Sequence, residues 1–337
     1  MSEVNRQWLL RQRPVGMVKE SDFELHETPI PKPAQGEALV KNLFLAFEPA
    51  MRGWMEDRES YLPPVGIGDV MRGMTVGQVV ESNFDGLAPG DLVSGFTGWQ
   101  EWCIGDANVT KLAAGATPEF ALSILGATGM TAYFGLLDVG KPKAGETLIV
   151  SGAAGATGSV VGQIGKLEGL RVIGVAGGKR KCEWLMEELG FDAVVDYKNE
   201  NIGERLSALC PDGIDVFFDN TGGEVLDAVL ARINLNARIV LCGAISHYND
   251  EKPAPGPVNY FNLTPRRGRM EGFIVLDYLE RFEEAAAKLS AWCGEGKIVW
   301  KVDVQEGFEN APRTFKRLFS GENFGKQLLR IGTASGV

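Results

Sequence analysis

A glycine-rich turn between an apolar run and a helical segment is the feature that most constrains this chain. The turn spans Ser151–Gly158 and reads Ser-Gly-Ala-Ala-Gly-Ala-Thr-Gly. The run before it, Leu148–Val150, has the composition of a buried strand, and the run after it, Ser159–Leu167, is helical in pattern. A strand that turns sharply into a helix is the connection found in sheets whose strands alternate with helices.

The three glycines of this turn predict a dinucleotide-binding site. Gly152 permits the tight turn, Gly155 lets the backbone approach a pyrophosphate, and Gly158 lets the helix pack closely on the strand. Amide groups at the helix start then point at the phosphate, and the helix dipole favours its negative charge. The alternative is a glycine-rich turn that binds no ligand.

Strand-like and helical segments alternate from Thr147 to the neighbourhood of Lys297, which predicts an α/β fold with a doubly wound parallel sheet. The chain before this region has many short strands separated by Gly and Pro, and it predicts a small barrel. The expected domains are residues 1–125 together with 300–337, and residues 126–299. The predicted strands of the parallel sheet are Leu148–Val150, Arg171–Ala176, Ala193–Asp196, Ile214–Phe218, Arg238–Leu241 and Gly272–Leu276.

The residues after the second of these strands indicate which dinucleotide is bound. NAD-binding domains commonly place Asp or Glu about 20 residues after the turn, against the ribose 2′-hydroxyl. Here the segment Ala176–Lys181 has no carboxylate and ends in three cations, which would bind the 2′-phosphate of NADP. The alternative is a solvated helix start, although the helix dipole disfavours cations there. Tyr197, after the third strand, would stack on adenine or reach the phosphate, unless it is an ordinary strand-end aromatic.

Charge and composition disfavour several other classes. The net charge of -10 argues against binding to nucleic acid or to an anionic membrane. The five cysteines have no Cys-x-x-Cys spacing, so they predict neither a disulfide framework nor a zinc cluster and favour a reducing, cytoplasmic location. Catalytic zinc needs three protein ligands, and the first domain offers only His26 and Cys103 from the nitrogen and sulfur donors, so no metal is expected. We also expect no signal peptide, no membrane span and no hydrolase nucleophile elbow.

Six segments spread over nearly the whole chain resemble a known family. They are Glu48–Gly53, Ala127–Tyr133, Ser151–Gly158, Asp219–Gly223, Cys242–Asn249 and Asn323–Lys326. With them the chain resembles the zinc-independent branch of the medium-chain dehydrogenase/reductase superfamily, which contains prostaglandin reductases (leukotriene B4 12-hydroxydehydrogenases), plant alkenal double-bond reductases and bacterial curcumin reductases. The resemblance implies a Rossmann NADP-binding domain and a GroES-like β-barrel domain.

The resemblance also implies roles for individual residues. Lys181 and Tyr197 would hold the 2′-phosphate, and Thr128 with the Phe273–Val275 backbone would face the nicotinamide. Tyr248 would be the catalytic residue near the substrate carbonyl. The full set expected at the cofactor is Thr128, Gly152, Ala154, Gly155, Ala156, Thr157, Gly158, Gly178, Lys181, Tyr197, Asn220, Cys242, Gly243, Ile245, Phe273, Ile274, Val275 and Asn323.

One segment departs from the family pattern. The family often has aspartate-proline-tyrosine before Met-Arg, with that tyrosine in the substrate pocket. Here Glu48 replaces the aspartate and Ala50 replaces the tyrosine. The departure predicts a wider pocket.

The resulting hypothesis is an NADPH-dependent reductase of the carbon–carbon double bond in α,β-unsaturated ketones or aldehydes. Hydride would add to the β-carbon, and the Tyr248 hydroxyl would stabilise the charge that develops on the carbonyl oxygen. The alternatives are a quinone or other carbonyl reductase on the same scaffold, or a cofactor-binding protein without turnover. The partner is expected to be a small-molecule substrate, and the protein is expected to be a homodimer. The candidate contacts are the proline-rich loop Ser246–Thr264 and the apolar strand near Arg238–Gly243.

Overall fold

The computed structural model of the chain describes residues 4–333, which form two compact units. The first unit holds the described residues up to Ser123 and from Val302 onward, and the second unit is Ile124–Lys301. None of the helices in the described part of the chain is long and apolar enough to cross a membrane.

The first unit is built mainly from short strands. Its elements before the second unit are β1 Val4–Leu10, β2 Phe23–Pro29, β3 Ala38–Ala46, α1 Met51–Trp54, β4 Thr75–Ser82, β5 Leu92–Gly95, β6 Trp102–Gly105, β7 Val109–Lys111 and α2 Pro118–Leu122. Strand β3 is long and apolar, and it is buried along almost its whole length. It pairs antiparallel with both β4 and β6.

The second unit alternates strands with helices. Its elements are α3 Ala127–Phe134, β8 Thr147–Ser151, α4 Ala156–Leu167, β9 Arg171–Ala176, α5 Lys179–Glu187, β10 Ala193–Asp196, α6 Ile202–Leu209, β11 Ile214–Asp219, α7 Gly223–Leu230, β12 Ile233–Leu241, α8 Leu263–Arg266, β13 Arg269–Gly272 and α9 Phe282–Gly294. A π-helical turn, Gly135–Gly140, follows α3. Short 3-10 segments in the described chain are Glu20–Asp22, Ile245–His247, Val258–Asn262, Val275–Arg281 and Phe308–Asn310.

The chain then returns to the first unit. Its last elements are β14 Val302–Glu306, α10 Ala311–Ser320 and β15 Lys326–Arg330. The large sheet of this unit has the order β14-β15-β3-β4-β5-β7, with β6 also paired to β3, and β1 and β2 form a separate antiparallel pair. Because β14 and β15 are parallel while the other pairs are antiparallel, the sheet is mixed.

The six strands of the second unit form a parallel sheet, as the sequence predicts. Their order is β10-β9-β8-β11-β12-β13, and every pair is parallel. This is the doubly wound order, in which the sequence reverses direction between β8 and β11, and ligands bind outside the carboxyl ends of the strands at that point. The apolar run Leu148–Val150 in β8 is fully buried, as expected for a strand covered on both faces.

Several element boundaries differ from the sequence-based prediction. Strand β12 begins at Ile233 and not at Arg238, and β8 and β11 extend beyond their predicted ends by one residue. Helix α4 begins at Ala156 and not at Ser159, because Gly158 belongs to its first turn. The last strand is Arg269–Gly272, and the expected strand Gly272–Leu276 is wrong. The prediction followed the apolar run, whereas the true strand is a polar edge strand with every residue exposed.

All five cysteines are free thiols. The reducing, cytoplasmic location inferred from their spacing stays a prediction.

Candidate cofactor and active site

The glycine-rich turn places the backbone at the start of α4 close to the backbone at the end of β8. Gly152 has φ +57°, in the left-handed region that glycine adopts without cost. A Cβ at Gly158 would lie 2.5 Å from the carbonyl oxygen of Gly152 and 2.9 Å from the Cα of Ala153. Only glycine fits at residue 158, because the first turn of α4 packs directly on the end of β8.

The same turn leaves a helix start suited to an anion. Gly155 is the N-cap of the twelve-residue helix α4, and no side chain caps this end. A Cβ at Gly155 would meet only the Gly152 carbonyl oxygen, at 3.1 Å. Ala154, Ala156 and Thr157 flank this start. An uncapped helix N-terminus next to a glycine fits a pyrophosphate, which its amides and dipole would bind.

A second cluster lies where β9 and β10 end. Gly178 has φ +92° and is the N-cap of α5, whose first turn carries half-buried Lys181. The Tyr197 ring packs on the neighbouring Gly177, where an added Cβ would lie 2.8 Å from ring atoms. The structure therefore brings Gly178, Lys181 and Tyr197 to the same edge of the sheet.

A carboxylate that the sequence reasoning missed also lies at this edge. Asp196 ends β10, and its side-chain oxygens accept hydrogen bonds from the Gly178 amide at 2.8 Å, the Lys198 amide at 3.2 Å and Asn199 Nδ2 at 2.8 Å. Burial opposes ionisation of Asp196, but these donors outweigh it and lower its pKa. The sequence signal was present, because parallel strands end at one edge and β10 ends in aspartate.

The turn after β8 is hydrogen-bonded to the loop after β11. Asn220 donates from Nδ2 to the Ser151 carbonyl oxygen at 2.7 Å, and its amide donates to Ser151 Oγ at 2.8 Å. Ser151 Oγ donates to Asp219 Oδ1, also at 2.8 Å. The predicted cofactor residue Asn220 is thus held in place by the first residue of the glycine-rich turn.

The loop after β12 joins the same junction. The amides of Cys242 and Gly243 donate to the Asp219 carbonyl oxygen at 2.9 and 3.1 Å, and the Ile245 amide donates to the Asn220 carbonyl oxygen at 3.2 Å. Desolvation, with a smaller contribution from the Asp219 charge, raises the pKa of the Cys242 thiol to about 12. This cysteine is a neutral thiol at physiological pH.

Tyr248 folds back onto its own loop. Its hydroxyl oxygen accepts a hydrogen bond from the Ala244 amide at 3.2 Å, and a Cβ at Gly243 would lie 2.9 Å from that oxygen. The bond uses a lone pair of the hydroxyl and not its proton. The structure therefore fixes the ring beside the loop that carries Cys242 and Gly243.

A cavity of about 940 Å³ opens at this edge of the second unit. Its apolar wall includes Phe273 and Ile274, and its polar wall includes Asp219 and Tyr248. Phe273 packs edge-on against Phe218 of β11, with ring centroids 6.4 Å apart. The cavity therefore gathers residues from the ends of β11, β12 and β13, where such sheets bind ligands.

The remaining predicted residues lie at separate places. Thr128 is the second residue of α3, and Val275 begins the 3-10 segment that follows Ile274. Asn323 belongs to the first unit, where it precedes β15 and donates from Nδ2 to the Gly325 carbonyl oxygen at 3.2 Å. Its expected contact with the cofactor stays a prediction.

The segment that departs from the family pattern is anchored within the first unit. Lys326 Nζ lies 2.6 Å from Glu48 Oε1 and donates to the Phe47 carbonyl oxygen at 3.3 Å. Its side chain is almost fully buried. Ala50 packs on the aromatic core of this unit. Glu48 is thus the partner of a buried cation, and the wider pocket expected from Ala50 stays a prediction.

Comparison with known proteins identifies the family. Residues 6–112 match the family model described as the N-terminal domain of oxidoreductase, and residues 156–291 match the one described as zinc-binding dehydrogenase. The chain is 44% identical over 334 residues to the NADPH-dependent curcumin reductase of Escherichia coli, covering 97% of each chain. It is 41% identical over 335 residues to the 2-alkenal reductase (NADP(+)-dependent) of Nicotiana tabacum, again with 97% of each chain covered.

A solved structure agrees with these relatives. The crystal structure of CurA from Vibrio vulnificus in complex with NADPH is 45% identical, covers 98% of this chain and 100% of its own, and superposes with a TM-score of 0.94. The chain belongs to the zinc-independent branch of the medium-chain dehydrogenase/reductase family. It is an oxidoreductase, and the predicted fold class is confirmed.

The second family model is described as a zinc-binding dehydrogenase, but the described residues of this chain offer no matching set of metal-binding side chains. Residues 4–333 contain no group of three or more His, Cys, Asp and Glu side chains placed to hold a metal ion. His247 instead lies with Nδ1 2.8 Å from Asp250 Oδ2.

Proposed function

We propose that this oxidoreductase uses NADPH to reduce the carbon–carbon double bond of α,β-unsaturated aldehydes and ketones. The observation that carries the proposal is full-length similarity to reductases named for a 2-alkenal and for curcumin, at 41% and 44% identity. A 2-alkenal has its double bond conjugated to an aldehyde. Hydride addition at the β-carbon of such a substrate places negative charge on the carbonyl oxygen, so the site has to stabilise that charge.

The residues for the cofactor are those at the carboxyl edge of the parallel sheet. Gly155 and the start of α4 hold the pyrophosphate, and Lys181 with Tyr197 holds the 2′-phosphate. Asn220 and the backbone of Cys242 and the following loop line the nicotinamide end. NADPH, when bound, supplies the hydride. The support for the phosphate form is the cation Lys181 on α5 together with the similarity to CurA from Vibrio vulnificus, which was solved in complex with NADPH.

Tyr248 is the residue that we assign to the substrate carbonyl. Its hydroxyl oxygen accepts a hydrogen bond from the Ala244 amide, which positions the ring, and a tyrosine hydroxyl can donate as well as accept. A donor held in place before the reaction stabilises developing charge without reorganisation. Water or Tyr248 then supplies the proton that completes the saturated product at the α-carbon.

The test is a substrate panel with identified products. Purified protein is mixed with NADPH and, in turn, a 2-alkenal, an unsaturated ketone, a quinone and a saturated aldehyde. We expect NADPH oxidation with the first two and a saturated carbonyl product by mass spectrometry. Turnover with the quinone alone would favour the alternative reductase, and no turnover with any acceptor would favour a binding protein.

We also propose that the protein is a homodimer. Strand β13 is an edge strand with all four residues exposed, and it pairs only with β12 among the described strands. Val258, Phe261 and Met270 are exposed apolar residues of the same region of the chain. An unprotected edge strand with nearby apolar side chains favours pairing with a second copy.

A further inference from the structure

Asp219 is a fully buried acid to which the proposed reaction assigns no role. It is the last residue of β11 and its relative exposure is 0%. Its Oδ1 accepts hydrogen bonds from Ser151 Oγ at 2.8 Å and from the Thr221 and Gly222 amides, both at 2.9 Å. One carboxyl oxygen therefore ties the glycine-rich turn to the loop that follows β11.

The backbone of the same residue binds a third segment. The Asp219 carbonyl oxygen accepts hydrogen bonds from the amides of Cys242 and Gly243, which begin the loop after β12. The three segments joined in this way carry the residues that we propose around the cofactor. Asn220, which belongs to the loop after β11, also bonds to the other two segments, through Ser151 and Ile245.

The second oxygen of the Asp219 side chain is used differently. Oδ2 is buried and has no hydrogen-bond partner among the described residues. Leaving a buried acceptor unpaired costs about 1–3 kcal/mol, and unpaired groups of this kind are uncommon in native proteins. The protein therefore retains Asp219 despite the free-energy cost of burying its unpaired Oδ2. Only Oδ1 of this side chain makes hydrogen bonds within the described chain.

Among the described residues, those that line the adjoining cavity include no lysine or arginine to act as a counter-charge. The charged and titratable residues that line the adjoining cavity are Glu224, Asp227, His247, Tyr248, Cys242 and Asp277. Burial raises the pKa of the Asp219 carboxyl group, although the hydrogen bonds to Oδ1 oppose the shift. These observations favour hydrogen-bond acceptance over charge as the useful property of Asp219.

We propose that Asp219 is a positioning residue for hydride transfer, which fixes the three cofactor-facing segments relative to one another by accepting hydrogen bonds. This inference rests on the proposed function, because it assumes that the three segments surround a nicotinamide. It assigns no contact with substrate and no proton transfer to Asp219.

Three variants distinguish hydrogen-bond acceptance by Asp219 from the charge of its side chain and from a general loss of protein stability. Asp219→Asn keeps one carbonyl oxygen as acceptor and removes the ionisable group, whereas Asp219→Ala removes both. Val216→Ala is the matched control, because Val216 is a fully buried residue of the same strand with no part in the proposed site. It lowers the melting temperature by creating a cavity without touching the junction.

The first readout is hydride transfer in a single turnover at saturating NADPH and unsaturated ketone. A misplacement of about 1 Å costs on the order of 10²-fold in rate. We therefore expect Asp219→Ala to be slowed roughly 10- to 100-fold, Asp219→Asn to stay within about threefold of wild type, and Val216→Ala to match wild type.

The second readout needs no cofactor. Hydrogen–deuterium exchange of the apo protein should accelerate in Asp219→Ala at peptides that contain Thr221–Gly222, whose amides donate to Oδ1, and not at Cys242–Gly243, whose amides donate to the backbone carbonyl oxygen that alanine retains. Asp219→Asn should retain slow exchange there, and Val216→Ala should not change these peptides selectively.

The third readout is NADPH affinity, measured by nicotinamide fluorescence. It should fall about tenfold in the alanine variant only.

Each other outcome overturns the inference. Equal damage in the asparagine and alanine variants would mean that charge is what the site uses, and wild-type transfer in the alanine variant would remove the positioning role. If Asp219→Ala does not fold, Ser151→Ala removes one donor to Oδ1 and has to show the same selective exchange and slowed transfer. Failure of the proposed function has a different signature, because wild-type protein would then not reduce the ketone while the exchange and NADPH affinity still respond to Asp219→Ala.

Discussion

The Tyr197 ring lies against the backbone of Gly177, so closely that an added side-chain carbon at residue 177 would come within 2.8 Å of its Cε1, Cζ and hydroxyl oxygen. The contact holds a half-exposed tyrosine at the end of β9, beside the N-cap of α5. It explains why a glycine stands there, and it brings an aromatic ring to the edge where we place the 2′-phosphate.

The first prediction concerns cofactor choice. Lys181→Ala should weaken NADPH binding much more than NADH binding, because only NADPH carries the 2′-phosphate. A charge-assisted hydrogen bond is worth about 1.5–3 kcal/mol, which is roughly tenfold or more in affinity. The measurement is a fluorescence titration with each reduced cofactor.

A neighbouring lysine provides the control. Lys179 lies on the same helix, and its side chain is 87% exposed and 3.5 Å from Glu183. Lys179→Ala removes another cation of the same cluster, but because this side chain is more exposed and lies beside Glu183, the loss of NADPH affinity should be smaller than in Lys181→Ala. Equal losses of NADPH and NADH affinity in Lys181→Ala, or no loss, would contradict the assignment of Lys181.

The second prediction compares two glycines of the turn. Gly158→Ala forces a methyl group to within 2.5 Å of a backbone oxygen, so we expect a loss of about 1–3 kcal/mol in the free energy of unfolding. Gly155→Ala meets one atom at 3.1 Å and should fold normally but bind NADPH less tightly. Thermal melts and NADPH titrations of both variants check this. A Gly155→Ala protein with unchanged affinity would move the pyrophosphate away from this helix start.

Much of this site follows from the sequence, because its main features are local. Gly152, Gly155 and Gly158 are spaced by the geometry of one turn, and the structure shows the tight turn at Gly152 and the close packing at Gly158 that this spacing predicts. The approach of Gly155 to a pyrophosphate stays a prediction. The parallel sheet follows from the alternation of strands and helices. These features need no knowledge of which distant residues meet.

The features that the sequence did not reveal depend on distant residues. Asp196 reaches Gly178 across 18 positions, and Asp219 reaches Ser151 across 68. Both contacts exist because parallel strands end at one edge, which requires the strand order. Strand β13 was missed for another reason, since an exposed edge strand has no buried run to detect.

The third prediction concerns thiol reactivity and its pH dependence. Burial raises the pKa of Cys242 to about 12, whereas an ordinary cysteine has a pKa of about 8.5. Since only the thiolate reacts, alkylation of Cys242 by iodoacetamide at pH 8 should be slower than that of an unfolded cysteine by roughly a thousandfold. The rate should still rise with pH beyond pH 10. Peptide mass spectrometry of native and urea-unfolded protein measures both rates, and rapid labelling of native Cys242 would contradict the shift.

The fourth prediction tests the dimer. Light scattering at micromolar concentration should give twice the chain mass for the wild type. Phe261→Asp places a charge at an exposed apolar residue of the segment that precedes β13 in the chain and should shift the protein to monomer. Met186→Glu, at an exposed apolar position on α5, is the control and should remain dimeric. A monomeric wild type would refute the proposed pairing.

The fifth prediction concerns Tyr248. Tyr248→Phe keeps the ring and removes the hydroxyl group, which accepts a hydrogen bond from the Ala244 amide at 3.2 Å. If the hydroxyl stabilises charge on the substrate oxygen, single-turnover reduction of an unsaturated ketone should slow by about 10²–10³. NADPH affinity should barely change, because the phosphates are held by Gly155 and Lys181.

The loss of the Ala244 bond is a separate effect, and two observations distinguish it from loss of the donor. A loosened loop would change NADPH affinity and exchange at the Cys242–Gly243 peptide, whereas loss of the donor changes only the rate of reduction. Tyr260→Phe, at an exposed tyrosine, is the control and should behave as wild type. The family resemblance implies that Ala50 replaces a tyrosine of the substrate pocket, and alanine has no hydroxyl group that could compensate. An unchanged rate in Tyr248→Phe would assign polarisation of the substrate to another donor.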